Sequence, residues 1–457
     1  MKLGVVILAA GQGTRMRSSL PKVLHRLANR PLLRHVVDTS KKLAPEQVIV
    51  VFGHGGEMVP QAFSSDAGLT WVEQQQQLGT GHAVDQALPA LAGVDQVLVL
   101  YGDVPLIQAE TLSSLIQAAA ETDLALLTVE LENPTGYGRI VRCAQGRVQR
   151  IVEQKDATAE ELAITEVNTG FLVADKKRLI DWLSRVDNHN AQKEYYLTDI
   201  VELAVADGVD VKVAQPEDAT EVMGVNDRTQ LAQLERHYQQ HQAEILMQQG
   251  VAFLDPSRFD LRGELSVGQD VQIDINVIIE GRVELGDGVC IGANSVIRNS
   301  VVADRVQILE NCVVEEATIG AESVIGPFAR IRPGTRLAGR NRVGNFVEIK
   351  KSVIDEGSKI NHLSYIGDAV VGKDVNIGAG TITCNYDGAN KSQTIIGDNA
   401  FIGSDSQLVA PVEIGAGATI GAGSTITSDT QPEMLTLSRS RQYSVKGWKR
   451  PVKKPKN

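Results

Sequence analysis

Along residues 267–426 an aliphatic residue returns at every sixth position. One register is Val267, Ile273, Ile279, Leu285, Ile291 and Ile297, and a second is Ile319, Ile325, Ile331, Leu337, Val343 and Ile349. After short slips come Ile354, Ile360 and Ile366, then Val371 and Ile377, then Ile396, Ile402, Leu408, Ile414, Ile420 and Ile426. Glycine often follows, as at Gly268, Gly292, Gly326 and Gly403. A period of six matches neither a helical face nor simple strand alternation. It suits a coil of short straight edges, with the aliphatic side chain pointing into the stack and the next residue turning the corner. The pattern predicts a hexapeptide parallel β-helix. Registers of this length argue against a β-rich domain with chance spacing.

The first half is patterned differently. Continuous apolar runs occupy 3–10, 48–52, 97–101, 124–129 and 170–173, with helix-like stretches at 110–121 and 176–183. That alternation predicts an open α/β sheet, mostly parallel and buried on both faces. Its ligand site belongs beyond the carboxyl ends of the strands. Between the halves, 227–249 lacks Gly and Pro and spaces Leu231, Leu234 and Tyr238, then His241 and Ile245, by three and four residues. This predicts one long amphipathic helix that separates two domains, with Asp227 as a possible N-cap. His237 and His241 lie four apart without accompanying carboxylates, so an exposed polar face is favoured over a metal site. The predicted organisation is 1–226, a 227–250 linker helix, and 251–457.

At 457 residues the chain exceeds one ordinary core. A net charge of −11 argues against a nucleic-acid binder. The low aromatic content, 4%, suits a solenoid filled with aliphatic side chains. Cys143, Cys290, Cys312 and Cys384 form no CxxC pair, which points to reduced thiols in the cytoplasm. Met1–Ala10 is too short for a signal peptide, and no membrane span is expected.

Candidate chemistry begins at Gly11-Gln12-Gly13-Thr14-Arg15-Met16, directly after the first apolar run, with Lys22 nearby. Backbone N–H groups of such a loop can cradle phosphate while the two cations offset its charge. It is neither a Rossmann fingerprint nor a Walker A loop, and a plain tight turn is the competing reading. Tyr101-Gly102-Asp103 ends another apolar run, where an aspartate can hold Mg²⁺ or simply cap a turn. In the solenoid, polar residues interrupt the hexads between Arg332 and Tyr386. Lys350, Lys351, His362, Tyr365 and Asn376 lie there, and CNYDGANKSQ at 384–393 breaks the repeat. A loop leaving a solenoid marks a binding face. Histidine suits removal of a proton from an attacking amine, although His362 alone would more often be an ordinary structural histidine.

The segments LAAGQGTRM and PKVLH resemble the signature of sugar-1-phosphate nucleotidyltransferases. QLGTGHA at 77–83, YGDVPL at 101–106, PTGYGRI at 134–140, IVEQKDA at 151–157, EVNTG at 166–170 and EYYLTDI at 194–200 narrow the resemblance. The hexads resemble the left-handed β-helix of hexapeptide acyltransferases; without that likeness a right-handed coil would be the default. From residue 3 to the tail the chain is similar to the bifunctional UDP-N-acetylglucosamine pyrophosphorylase/glucosamine-1-phosphate N-acetyltransferase family.

The resemblance implies UTP contacts at Ala9, Ala10, Gly11, Lys22, Gln74, Gly79 and Thr80, with Tyr101 and Gly102 beside them. It implies Mg²⁺ on Asp103 and Asn226, and N-acetylglucosamine on Gly138, Glu153, Asn168 and Thr169, with Arg15 and Lys22 stabilising charge during transfer. Gln12 departs from the family, where many members carry lysine. In the second half it implies His362 as base, and Arg332, Lys350, Tyr365 and Asn376 on the sugar phosphate. Acetyl-CoA contacts would fall on Ala379, Asn385, Tyr386, Ser404, Ala422 and Arg439. It further implies a homotrimer with shared acetyl-transfer sites, and a basic tail, Tyr443 to Asn457, near the CoA phosphates. A nucleotidyltransferase of other specificity with an idle β-helix, and a scaffold that reuses both folds without catalysis, are the competing readings.

Overall fold

The computed structural model describes residues 1–11, 13–53 and 56–453. The chain divides into two compact units, Met1–Tyr238 and Gln239–Asn457. No described helix is long and apolar enough to cross a membrane.

In the first unit the main sheet runs in the order Lys212–Ala214, Leu124–Glu130, Glu166–Asp175, Gln96–Tyr101, Leu3–Ala9, Gln47–Phe52, Leu69–Glu73. Leu3–Ala9 is parallel to Gln47–Phe52 and to Gln96–Tyr101, as is Gln47–Phe52 to Leu69–Glu73 and Lys212–Ala214 to Leu124–Glu130. Glu166–Asp175 runs antiparallel to both its neighbours. The sheet is therefore mixed, though mostly parallel. The reversal has a physical cause: the chain leaves Leu124–Glu130 through a hairpin, Gly138–Arg142 and Val148–Val152, rather than a helical crossover. The continuous apolar runs follow from burial on two faces. Val6 and Leu8 enter one core layer while Val5 and Ile7 enter the other, and Val97 and Val99 alternate likewise with Leu98 and Leu100.

The expected linker is a single helix, Arg228–Gln248, capped where the Asp227 carboxylate accepts the Gln230 N–H at 2.9 Å. Leu231, Leu234 and Tyr238 pack with Met16, Leu27, Ala28 and Leu32 in the first unit. The apolar face does not continue through His241, which is exposed; in the second unit the buried positions of this helix are Gln239, Ala243 and Leu246. Gln239 is held at both ends by the Leu261 backbone, donating at 3.0 Å and accepting at 2.6 Å.

The second unit is a parallel solenoid with three strand positions per coil. Every hexad residue named above is buried except Val267, which is partly covered at the open first end. The core also contains Val302, Ile308 and Val314, a third short register between the two longer ones. Each coil turns at three corners that recur as columns of residues with positive φ. One column is Asp270, Gly288, Arg305, Glu322, Arg340, Gly357 and Asp374; another is Gly281, Asn299, Glu316, Gly334, Lys351 and Asp368. Gly and Asn tolerate this left-handed conformation best, yet these columns also hold Asp, Glu, Arg and Lys. Gly268, Gly292 and Gly403, expected to turn the corners, do not have positive φ; they allow close approach of the adjacent coil, into which a Cβ would clash.

Candidate functional sites

Leu8 lies opposite Tyr101 in the parallel pairing, so the glycine loop and Asp103 leave the sheet at the same edge. There a cavity of about 550 Å³ is lined by Ala9, Ala10, Gly11, Arg15, Lys22, Gln74, Gly79, Thr80, Tyr101, Asp103, Thr169 and Asn226. Lys22 Nζ stands 2.5 Å from Asp103 Oδ2 and 3.3 Å from Asn226 Oδ1, and Arg15 donates to the same Asn226 oxygen at 2.9 Å. Gly13 adopts φ 59°, and a Cβ on it would stand 2.7 Å from Lys22 Cβ, so the turn packs closely on the lysine stem. Gln12 lies outside the described residues.

Gly102, Gly138, Glu153 and Asn168 do not line this wall. Gly102 fits under it against Leu33 and Val23. Gly138 pairs with Asn168 across antiparallel strands, and the Glu153 carboxylate lies 3.5 Å from where a Gly138 Cβ would be. Burial pushes the Tyr101 phenol well above its ordinary range, with Glu153 and Asp103 adding to the shift. Burial also raises Glu153, opposed by a 3.1 Å hydrogen bond from the Thr198 hydroxyl. Next to it, burial and then the Glu153 charge lift Asp199 to about 6.

The QLGTGHA segment is shaped by one close approach. Gly79 adopts φ 111°, and a Cβ there would meet the Tyr195 carbonyl oxygen at 2.6 Å. Gly81 N–H donates to that same carbonyl at 2.8 Å. Gln74 donates to the Gly79 carbonyl at 3.1 Å and lies 3.0 Å from His82 Nδ1. Gln77, the first residue of this segment but assigned no contact from the sequence, donates to the Ala10 carbonyl at 2.5 Å and ties this loop to the glycine loop.

Among the described residues no group of three or more His, Cys, Asp or Glu side chains is placed to hold a metal ion. Yet Asp103 Oδ2 and Asn226 Oδ1 converge on one ammonium nitrogen, so two hard oxygens already share a single cationic position. That donor set fits a magnesium ion, which takes one or two protein oxygens and completes its shell with phosphate and water.

In the solenoid, His362, Ala379, Ser404 and Ala422 stack rung upon rung at one corner. The residues that follow them donate down the column: Gly380 N–H to His362 O at 3.4 Å, Asp405 to Ala379 O at 2.7 Å and Gly423 to Ser404 O at 2.8 Å. Arg439 donates to the Ala422 carbonyl at 2.8 Å and ends the track. His362 is exposed, and its Nδ1 lies 3.3 Å from Asn345 Oδ1. With the Asn345 amide oxygen accepting from Nδ1–H, Nε2 is the ring nitrogen left to face a substrate. Asn345 was not singled out in the sequence; its place one coil below His362 is the only clue, and it needs the stack.

Around the corner, Arg332 pairs with Glu348 at 2.6 Å, and Glu348 neighbours Tyr365 in register. Lys350 neighbours Gly367, where a Cβ would meet the Tyr365 hydroxyl at 2.4 Å: the ring lies across that glycine. Asn376 stands on a different face, beside Lys359 and Phe401. In the 384–393 loop, Asn385 is buried and donates to Asp368 at 2.5 Å, whereas Tyr386 is exposed. Tyr443–Lys453 is exposed throughout, and residues 454–457 of the basic tail lie outside the described part.

The profile of the MobA-like NTP transferase domain matches residues 5–168. Bacterial transferase hexapeptide (six repeats) matches 393–428, and the GMPPB C-terminal domain matches 261–341. The chain is 58% identical over 449 residues to "Bifunctional protein GlmU" of Azoarcus sp., covering 98% of this chain and 99% of that one. It is 59% identical over 456 residues to the protein of the same name from Nitrosospira multiformis, covering 100% and 99%. Among solved structures, a UDP-glucose pyrophosphorylase complexed with UDP-glucose aligns with 52% of this chain and 98% of its own, at 17% identity and a TM-score of 0.43.

Proposed function

The chain belongs to the bifunctional GlmU family, and from that premise we propose that it makes UDP-N-acetylglucosamine in two steps. It is an acetyltransferase and a uridylyltransferase in one polypeptide. The solenoid transfers acetyl from acetyl-CoA to glucosamine-1-phosphate, and the first unit then transfers uridylyl from UTP to N-acetylglucosamine-1-phosphate. The product serves cell-envelope polysaccharides, peptidoglycan and lipopolysaccharide among them. The observation that carries the reading is the cavity in which Arg15, Lys22 and Asp103 meet, in the same chain as the His362 column.

In the first unit a phosphate oxygen of N-acetylglucosamine-1-phosphate attacks the α-phosphorus of UTP, and pyrophosphate leaves. Such chemistry needs positioning and charge neutralisation more than a protein nucleophile. Lys22 and Arg15 hold the triphosphate, Gln74, Gly79 and Thr80 receive the base end, and Gly138, Glu153, Asn168 and Thr169 receive the sugar. Asp103 and Asn226 would hold Mg²⁺, which when bound supplies further positive charge against the phosphate oxygens.

In the solenoid, His362 Nε2 takes a proton from the substrate amine as its nitrogen attacks the thioester carbonyl. The C–N bond forms, the C–S bond breaks, and CoA leaves as the thiol. Arg332 and Lys350 suit the sugar phosphate as cationic donors, with Tyr365 beside them; Asn376, on another face of this chain, would reach such a site from a neighbouring copy. The small residues Ala379 and Ala422, with Ser404 between them, leave a shallow track for the pantetheine arm towards Arg439 and the basic tail. Asn385 and Tyr386 flank it. We further propose a homotrimer in the cytoplasm.

An omission assay tests the reading. Purified chain is given glucosamine-1-phosphate, acetyl-CoA, UTP and Mg²⁺, each left out in turn, while CoA thiol and pyrophosphate are followed separately. Pyrophosphate that appears only when acetyl-CoA is present establishes the two activities and their order. Pyrophosphate from N-acetylglucosamine-1-phosphate with no thiol release under any condition would refute the acetyl-transfer half.

A further inference from the structure

The hairpin Gly138–Arg142 and Val148–Val152 carries three arginines in two kinds of surroundings. Arg142 bonds both oxygens of Glu166, at 2.6 and 2.7 Å, and Arg150 pairs with Glu161. Their side chains are 32% and 37% exposed. Arg139 is only 2% exposed, and among the described residues no carboxylate pairs with it. A guanidinium keeps its charge, so burial without an opposing charge is costly. Its Nε is buried without a hydrogen-bond partner. The two other nitrogens both serve one turn. Nη1 donates to the Tyr137 carbonyl, and Nη2 donates to Gln154 Oε1 at 2.8 Å. The Gly136 N–H donates to that same Gln154 oxygen at 3.1 Å, and two donors on one oxygen fix the orientation of the amide.

The turn held in this way is a wall of the nucleotide cavity, which Thr135, Gly136 and Tyr137 all line. Its local bonds run from Tyr137 N–H to the Pro134 carbonyl at 3.2 Å and from Thr135 N–H to Asn133 Oδ1 at 3.3 Å. They shape the turn but do not fix it against the hairpin. Gly136 adopts φ 93°, and nothing lies within 4 Å of where its Cβ would be, so packing at the tip does not hold it either. Arg139 and Val152 are cross-strand partners and share one face of the hairpin. Gly138 and Glu153, the expected sugar contacts, meet on the other. Arg139 and Gln154 thus each follow a sugar-facing residue, one from either strand.

We propose that Arg139, acting through Gln154, is a positioning residue that sets the 134–137 turn over the sugar end of the cavity and so tunes affinity for the sugar phosphate. The proposal rests on the reading of this cavity as the uridylyl-transfer site. The planar fork of arginine spans the Tyr137 carbonyl and the Gln154 amide together, whereas a lysine presents a single nitrogen. Neither Arg139 nor Gln154 meets the phosphates, so loss of the clamp withdraws binding of the sugar rather than chemistry. Such a loss raises KM and leaves kcat.

Steady-state pyrophosphate release from UTP and N-acetylglucosamine-1-phosphate, measured on the full chain, tests the clamp. Arg139→Lys and Gln154→Ala should each raise the KM for N-acetylglucosamine-1-phosphate about tenfold, the worth of one hydrogen bond, with kcat and the KM for UTP unchanged. Gln154→Glu keeps two acceptor sites on one group and should restore the native KM. Gln154 is partly exposed, so its alanine variant decides the matter even where Arg139→Lys does not fold. A native KM for the sugar phosphate in Gln154→Ala would overturn the clamp alone. A parallel decline in kcat, both affinities and melting temperature, not rescued by Gln154→Glu, would also overturn it, since that marks a purely structural role. A wild type that releases no pyrophosphate from this pair would overturn the reading of the cavity and the clamp with it.

Discussion

Replacing Lys22 by alanine removes the ammonium that two oxygens of the nucleotide cavity share. Its side chain is 14% exposed, as is that of Asp103, so the charge acts where water screens it poorly. Arg15 remains, but it bonds Asn226 rather than the carboxylate. Losing one preorganised charge at a developing anion costs about 2.7–4 kcal/mol, or 10²–10³ in turnover. The folded state also loses the partner of a largely buried carboxylate, about 1–3 kcal/mol, which a unit of this size tolerates. Pyrophosphate release from N-acetylglucosamine-1-phosphate and UTP should therefore fall about 100- to 1,000-fold. Acetyl transfer, whose residues belong to the other unit, serves as the internal control. Unchanged pyrophosphate release would refute the assignment of Lys22, and a parallel loss of both activities would show that the substitution acts through folding.

Four further outcomes follow from the geometry. His362→Ala should lower acetyl transfer about 10²- to 10⁴-fold, as expected for a lost general base, while uridylyl transfer stays at the native rate; Asn345→Ala should give a smaller loss by freeing the imidazole tautomer. Asp199 is raised from an ordinary 3.8 to about 6, chiefly by burial. The folded state thus prefers it protonated: its contribution is most favourable below the free value and is lost as pH rises through about 6. Asp199→Asn should raise the melting temperature at pH 7.5, with the gain vanishing near pH 4 in a thermal scan across pH. Gly79→Ala forces a Cβ to 2.6 Å from the Tyr195 carbonyl at φ 111°. It should cost about 1–3 kcal/mol in a denaturant melt and raise the KM for UTP; a melt unchanged by the substitution would contradict the close approach.

Five strands of the first unit were legible because burial on both faces demands unbroken apolar runs, and Val5–Leu8 supplies one. Leu69–Glu73, Gly138–Arg142, Val148–Val152 and Lys212–Ala214 were not, because polar residues interrupt them where they are partly exposed. Nor was the antiparallel direction of Glu166–Asp175, since an apolar run says nothing of direction; the hairpin before it decides that. The helix 227–249 showed its register at Leu231, Leu234 and Tyr238, but that register fails at His241 because the helix then packs in the second unit through Ala243 and Leu246. At the nucleotide cavity, Arg15, Lys22 and Asp103 stood out as residue types, whereas Gln77, Tyr195 and Thr198 lie in the quoted segments QLGTGHA and EYYLTDI but show no individual role until their backbone neighbours are known.

The hexad alone determined the solenoid, because the side-chain period of a coil is a local property and buried aliphatics must obey it at every turn. Only the tertiary structure aligned His362, Ala379, Ser404 and Ala422, whose unequal spacings, stretched by the 384–393 loop, conceal a single column. The same is true of Phe328, Phe346 and Leu363. Their hydrophobicity is plain in the sequence, but their exposure and left-handed backbone arise from where the corners fall, and corners are set by pairing between coils far apart along the chain.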